Sequence, residues 1–374
     1  MGLSIGIVGL PNVGKSTLFT ALTNRGGKAT RYPFASKEAN IGIVPVPDDR
    51  LQKLADLVNP SRIVPATVEF VDVAGLVKGA HEGEGLGNQF LASIRETDAI
   101  AEVLRYFTDD EVVHVTGVPD PERDSDIIKT ELILADLGTI ERALPRLEKD
   151  AKRDKAAQAK LAVVSAVQEW LDAGNRAASF DFASAGSSLG LSGISSADGA
   201  RELVYDLHLL TMKPLFYVAN VDEDGVGDDA AVLEPIDGFV PFPVSAKIEA
   251  DIAELAESSP EDAALFLEEL GLKASGLERL VRSAYTLLGL QSYFTAGDLE
   301  VKAWTIPIGT KAPQAAGVIH SDFEKGFIKA ETISYADYVE YGGEAGCRAA
   351  GKARMEGKEY VVQDGDVLHF RFSK

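Results

Sequence analysis

Apolar positions open the chain as a short β-branched run, 3–8, which stops at Gly9 and gives way to helical spacing over 16–24. That order predicts a strand, a glycine-rich loop and a helix. Apolar runs return at 68–72, 215–219 and 242–244, each followed by polar or turn residues. Strands apolar on both faces belong in a parallel sheet covered by helices, so the fold class is α/β. Between 121 and 205 the period changes. Leu134, Leu137, Ile140, Leu144 and Leu147 keep helical spacing, and a second apolar helix spans 161–171. The pattern predicts a helical hairpin inserted into the sheet domain, with Pro145 bending or breaking its first helix. Residues 174–199 are mostly Ala, Ser and Gly, which predicts a mobile excursion outside any core. From about 291 onward, short strands at 301–306, 360–362 and 367–372 surround the turn Gln363-Asp364-Gly365-Asp366, as in a small separate α+β domain.

A chain of 374 residues is too long for one core, and its 45% hydrophobic content can fill two or three. It contains no uncharged apolar run of 18 residues, and its first residues show neither a basic leader nor a cleavage site, so a cytoplasmic protein with no membrane partner is expected. The single Cys347 rules out an internal disulfide, and the absence of a Cys/His cluster leaves no zinc site to consider. The 37 Lys/Arg against 58 Asp/Glu leave a net charge of −21, which opposes general adhesion to DNA or RNA. From Gln291 to the end the balance is only −2, and the hairpin turn at 149–160 is rich in Lys and Arg. RNA contacts are expected at those two places, although a solvated helix tip would have the same composition.

Gly9-Leu10-Pro11-Asn12-Val13-Gly14-Lys15-Ser16 fits G-x-x-x-x-G-K-[ST] and lies between a buried strand and a helix. Its glycines let backbone N–H groups of Asn12, Val13, Gly14 and Thr17 face phosphate oxygens, and the helix N-terminus adds partial positive charge. Lys15 would neutralise the β- and γ-phosphates, and the Ser16 hydroxyl would ligate Mg²⁺. Asp72-Val73-Ala74-Gly75 ends the 68–72 strand and suits a second phosphate-sensing loop: Asp72 would hold Mg²⁺ through water, and the Gly75 N–H would meet the γ-phosphate. Gly79, Gly83, Gly85 and Gly87 predict a loop that orders around triphosphate. Asn220-Val221-Asp222-Glu223 and Ser245-Ala246-Lys247 follow later strands, where GTPases carry their base-reading N-K-x-D and S-A-K elements.

With these four elements in order, the chain resembles the YchF family of Obg-related P-loop ATPases. Further stretches carry the likeness: EFVDVAGLVKGA at 69–80, GEGLGN at 83–88, IRETDAI at 94–100, QSYFTAG at 291–297, AWTIP at 303–307, APQAAGVIH at 312–320 and DFEKGF at 322–327. The resemblance implies a Ras-like nucleotide domain (1–121 and 206–285), an inserted coiled-coil hairpin (122–205) and a β-grasp TGS domain (290–374). It further implies ribosome association and ATP preferred over GTP. The family's switch I usually offers Thr as a second Mg²⁺ ligand; here Tyr32-Pro33-Phe34-Ala35-Ser36 places Ser36 there, with the hydroxyl kept.

Three functions fit: an ATPase switch controlling ribosome attachment, an Obg-type GTPase, or a nucleotide-bound scaffold with incidental turnover. Glu223 favours adenine, because it is one methylene longer than the guanine-reading aspartate, and Val221 replaces the lysine stem that would lie along the base. The Asn220 oxygen or a nearby carbonyl would accept the adenine amino group. Leu76 stands where Ras-like enzymes orient water with glutamine, so another group must act. His114 is the candidate, since a neutral imidazole accepts a hydrogen bond from water; a simply packed histidine is the alternative.

Overall fold

The structure is a computed structural model that describes residues 3–25, 40–73, 86–190, 196–226 and 232–373. The chain divides into two compact units, one built from Ser4–Gly42 and Phe70–Lys273, the other from Met1–Leu3, Ile43–Glu69 and Ala274–Lys374. Residues 43–69 and 274–289 fall in the second of these units, whereas the resemblance implies that 43–69 and 274–285 belong with the nucleotide domain.

The described strands, in chain order, are β1 (Leu3–Val8), β2 (Asn40–Pro45), β3 (Ile63–Val64), β4 (Thr67–Asp72), β5 (Ala99–Arg105), β6 (Leu215–Asn220), β7 (Phe242–Val244), β8 (Leu290–Ala296), β9 (Val301–Pro307), β10 (Phe327–Ile333), β11 (Arg354–Glu356) and β12 (Val367–Phe372). One sheet has the order β2-β4-β1-β5-β6-β7. β1, β5, β6 and β7 pair in parallel, through Ile5↔Ala99, Ile100↔Leu215 and Val218↔Phe242 among others. All seven residues of β5 and all six of β6 are buried, as central parallel strands require. Ile5, Phe70, Ile100 and Val218 are fully buried, and each such side chain contributes roughly 1.5–3 kcal/mol. Parallel pairing brings the carboxyl ends of these strands to one edge, where α/β sheets bind ligands.

In the same unit, the helix Pro121–Ala151 and the helix Lys155–Asp172 form the expected hairpin. Asp120 and Asp154 cap them by accepting from Arg123 N and from Ala156 N and Ala157 N. Of the bend or break expected at Pro145, the break does not occur; the helix continues to Ala151. Ile140 and Leu147, on either side of the proline, are buried with Val163, Val164 and Val167, and this packing offsets one lost backbone hydrogen bond. The excursion expected at 174–199 is also corrected. The 3-10 turn Ala177–Ser179 and the helices Phe182–Ser188 and Ala197–Tyr205 put Ala177, Phe182, Ala185, Ala200 and Val204 into the hairpin core. Phe180 lies 6.2 Å from Trp170 and 4.9 Å from Phe182, edge to face, so two aromatics anchor a segment whose composition reads as loop.

The carboxyl-terminal unit has its own sheet, β11-β10-β12-β8-β9-β3. β8 and β9 form an antiparallel pair, β12 lies parallel to β8 through Val367↔Phe294, and β10 runs antiparallel to β12. This is the β-grasp order, with Tyr293, Ile306, Leu368 and Phe370 packed on Ala312, Ala315 and Ala316 of the helix Ala312–Ile319. The segment 360–362 is not a regular strand; it makes one isolated bridge, Lys311↔Val361. The helix Asp49–Val58 buries Leu51, Leu54 and Ala55 in this unit, and β3 pairs with β9 through Ile63↔Val301. Arg50 ties the helix to the 363–366 turn, with Nη1 2.6 Å from Asp364 Oδ2 and Nη2 2.8 Å from Asp48 Oδ2.

Candidate nucleotide-binding site

Beyond β1 the backbone turns through two left-handed residues, Asn12 at φ 66° and Gly14 at φ 90°, before the helix Lys15–Arg25 begins. A β-carbon on Gly14 would lie 2.1 Å from Asn220 Nδ2, and one on Gly9 2.8 Å from the Val103 carbonyl. Both glycines are therefore required by close approach, and Gly14 by its φ as well. Lys15 Nζ sits 2.8 Å from Asp72 Oδ1 and also donates to the Val73 carbonyl, which joins the P-loop to the end of β4. The tertiary fold thus brings together the two charges that the sequence assigns to phosphate and metal. The Ser16 hydroxyl and Asp72 carboxylate are hard oxygen donors suited to Mg²⁺. Ser36 and Gly75, along with Gly79, Gly83 and Gly85, lie outside the described residues.

A cavity of about 700 Å³ opens at the carboxyl ends of β5, β6 and β7, lined by Gly14, Thr17, Phe107 to Asp109, Asn220 to Asp224, and Ser245 to Lys247, with Ala250 and Asp251. It is large enough for a base and ribose. Asn220 is buried, and its amide is committed at both ends: Nδ2 donates to Val13 O at 2.9 Å, and Oδ1 accepts from Ala246 N at 3.0 Å. Because Val13 O can only accept and Ala246 N can only donate, the amide orientation is settled. The amide thus braces the P-loop against the 245–247 loop, and its oxygen keeps a second lone pair. Val221 is buried in the cavity wall, with its N–H bonded to Val244 O. Glu223 pairs with Lys247. Both side chains are exposed, and this pair raises the lysine pKa. Asp222 also lines the cavity, where its carboxylate accepts from Thr108 N and Oγ1 at 3.1 Å. Phe107 was missed by motif reading, since no motif contains it; its ring packs under Arg105 at 4.3 Å and supplies an apolar wall for a planar base.

His114 is not in the cavity wall. Its side chain is 1% exposed, with Nε2 3.0 Å from Asp124 Oδ2 and Nδ1 2.9 Å from Thr116 Oγ1. This is the packed arrangement named as the alternative. A desolvated carboxylate attracts the imidazole, whereas periodicity alone gave no sign of Asp124 as its neighbour. The turn that carries it nevertheless touches the P-loop, because Asn12 Nδ2 donates to Val113 O at 3.0 Å.

Residues 4–130 match the model of the 50S ribosome-binding GTPase family, and residues 290–373 match the YchF-type GTPase carboxyl-terminal family, described as a protein of unknown function (DUF933). The Ribosome-binding ATPase YchF of Bacillus subtilis (strain 168) is 51% identical over 385 residues, with both chains covered in full. The chain belongs to the YchF family. The YchF protein of Escherichia coli O157:H7 is likewise 51% identical with full coverage of both chains. The solved Schizosaccharomyces pombe YchF GTPase superposes with a TM-score of 0.81 at 37% identity, covering 99% of this chain and 98% of that one. The likeness therefore extends over both units. Among the described residues no helix is long and apolar enough to cross a membrane.

Proposed function

We propose that the chain is a Mg²⁺-dependent ATPase whose nucleotide state governs its attachment to the ribosome in the cytoplasm. One observation carries the choice of base: the cavity wall holds Asn220 as a brace, Val221 in place of a lysine stem, and Glu223 turned to Lys247. With Glu223 taken up by Lys247, the acidic position that reads both guanine donors is engaged elsewhere, and the Phe107 ring with nearby backbone carbonyls suits adenine. Two relatives carry the name Ribosome-binding ATPase, in keeping with this reading.

The chain's own residues divide the work. Lys15 turns from Asp72 to the β- and γ-phosphate oxygens, while backbone N–H groups of 12–17 cradle them. Ser16, Ser36 and Asp72 would hold Mg²⁺, which spreads the charge developing on the transferred phosphoryl group. The Gly75 N–H meets the γ-phosphate. His114 orients the attacking water once the 112–118 turn has brought it outward. The TGS domain and the basic hairpin tip at 149–160 face ribosomal RNA, being the parts of this acidic chain least repelled by it.

Titration of nucleotide-free protein with ATP and GTP at constant Mg²⁺, followed by ribosome pelleting in each bound state, tests the reading. ATP should bind more tightly by about tenfold or more. GTP tighter by that factor would favour an Obg-type GTPase, and pelleting indifferent to nucleotide would favour the scaffold. Reversing Lys149, Lys152 and Arg153 to Glu should weaken co-sedimentation across a salt series, and unchanged pelleting would remove the tip from the interface.

A further inference from the structure

The hairpin helix begins beside the turn that carries His114, and its first residues grip that turn. Arg123 Nη2 donates to Val118 O at 2.5 Å, to Thr116 Oγ1, and to Asp124 Oδ1 at 3.1 Å. Asp124, itself 1% exposed, lies against His114 Nε2. On the other side Arg105 holds the approach to the turn by donating to the carbonyls of Phe107, Asp109 and Val112. Only 113–117 is left between these two clamps, a tight turn closed by Gly117 N–H donating to His114 O and allowed by the Gly117 φ of 91°.

Two features mark the inward histidine as a held state and not a settled one. The turn is inside out: His114 is buried while Val113 and Val115 are 75% and 52% exposed and Val118, at the clamp, is 72% exposed, the reverse of what burial of apolar surface favours. Moreover, His114 Nε2 is close to Asp124 without an aligned hydrogen bond, and Arg123 Nε is buried without a partner. Buried polar atoms left unsatisfied lower the cost of departure.

We infer that Arg123 and Asp124 form an autoinhibitory latch that keeps His114 turned away from the P-loop, and that opening it lets the 113–117 turn carry the imidazole to the nucleotide. The inference rests on the proposed role of His114 in hydrolysis. It adds a site of control, because the latch residues belong to the first turn of the hairpin helix. A partner that shifts the hairpin thereby acts on the histidine without touching nucleotide. The turn already reaches the P-loop, since Asn12 Nδ2 donates to Val113 O.

The test uses full-length Arg123→Ala, whose parent side chain is 41% exposed, and Thr116→Val as a second variant that keeps every charge. His114 modification by diethyl pyrocarbonate is read by mass spectrometry against the exposed His208, His320 and His369. Labelling should rise about fivefold or more in both variants, and single-turnover ATP hydrolysis about tenfold, as a population shift from closed to open. Adding His114→Ala to Arg123→Ala should return hydrolysis to the rate of His114→Ala alone. Labelling at the parent level, with nucleotide affinity and circular dichroism intact, would overturn the latch. Increased labelling with unchanged hydrolysis would uphold the latch and instead remove His114 from the chemistry.

Discussion

Asn220→Ala separates bracing from base reading. Asn220 closes two buried hydrogen bonds, to Val13 O and from Ala246 N, and so connects the P-loop to the loop after β7. Truncation deletes both and strands a buried carbonyl and a buried N–H. At about 1–3 kcal/mol for each group left unsatisfied, the loss should total about 2–6 kcal/mol. Both walls of the nucleotide cavity then relax together, so ADP, ATP and GTP should all lose affinity, by about tenfold or more, in the same proportion. Gly14→Ala should produce the same pattern by another route, because its β-carbon would occupy the space of Asn220 Nδ2 at a φ that disfavours alanine. Denaturant unfolding followed by circular dichroism gives the stability change, and calorimetric titration with the three nucleotides gives the affinities. Stability within about 0.5 kcal/mol of the parent, together with a loss confined to ATP, would refute the brace and return Asn220 to direct adenine contact.

Lys15→Ala should abolish triphosphate binding in equilibrium titration, because the phosphates would face only backbone dipoles, and it leaves the Asp72 carboxylate without its 2.8 Å partner. Glu223→Asp shortens the side chain at the base edge and releases Lys247; the ATP-to-GTP affinity ratio should fall by roughly tenfold, and an unchanged ratio would show that position 223 does not select the base. Glu102 is buried in β5, and desolvation raises its pKa to about 8, with Arg176 and Ser125 opposing. The folded protein therefore holds a proton that the unfolded chain releases above 4.5, so stability should decline as pH rises from 4.5 through 8. Glu102→Gln should flatten that slope between about pH 6 and about pH 8 in denaturant unfolding; an unaltered slope would place the titration elsewhere.

Local pattern was enough wherever a short run of residues contains its own physical reason. The β1 run, the left-handed turn and the helix that begins at Lys15 follow from β-branching, Gly14 and an open helix N-terminus, all within 3–25. The hairpin is equally local, since apolar spacing dictates which face of each helix must be buried, and Asp120 and Asp154 mark where the helices begin. Pattern fell short where the answer depends on a distant partner. Pro145 stays helical because residues from the second helix bury both sides of it, and Phe182 becomes core because the hairpin offers it a place. Residues 43–69 group with the carboxyl-terminal unit through Ile63↔Val301 and Arg50 with Asp364, pairings separated by well over two hundred positions that leave no periodic trace. At the site, sequence supplied the residue types and tertiary structure supplied their assignments. Asn220 reads as a base contact in its motif, and the fold gives its amide N–H a further task at Val13, 207 positions away, because a buried amide must satisfy both of its ends. His114 reads as a free base, yet the fold buries it 3.0 Å from Asp124, a neighbour ten positions on that no local pattern marks.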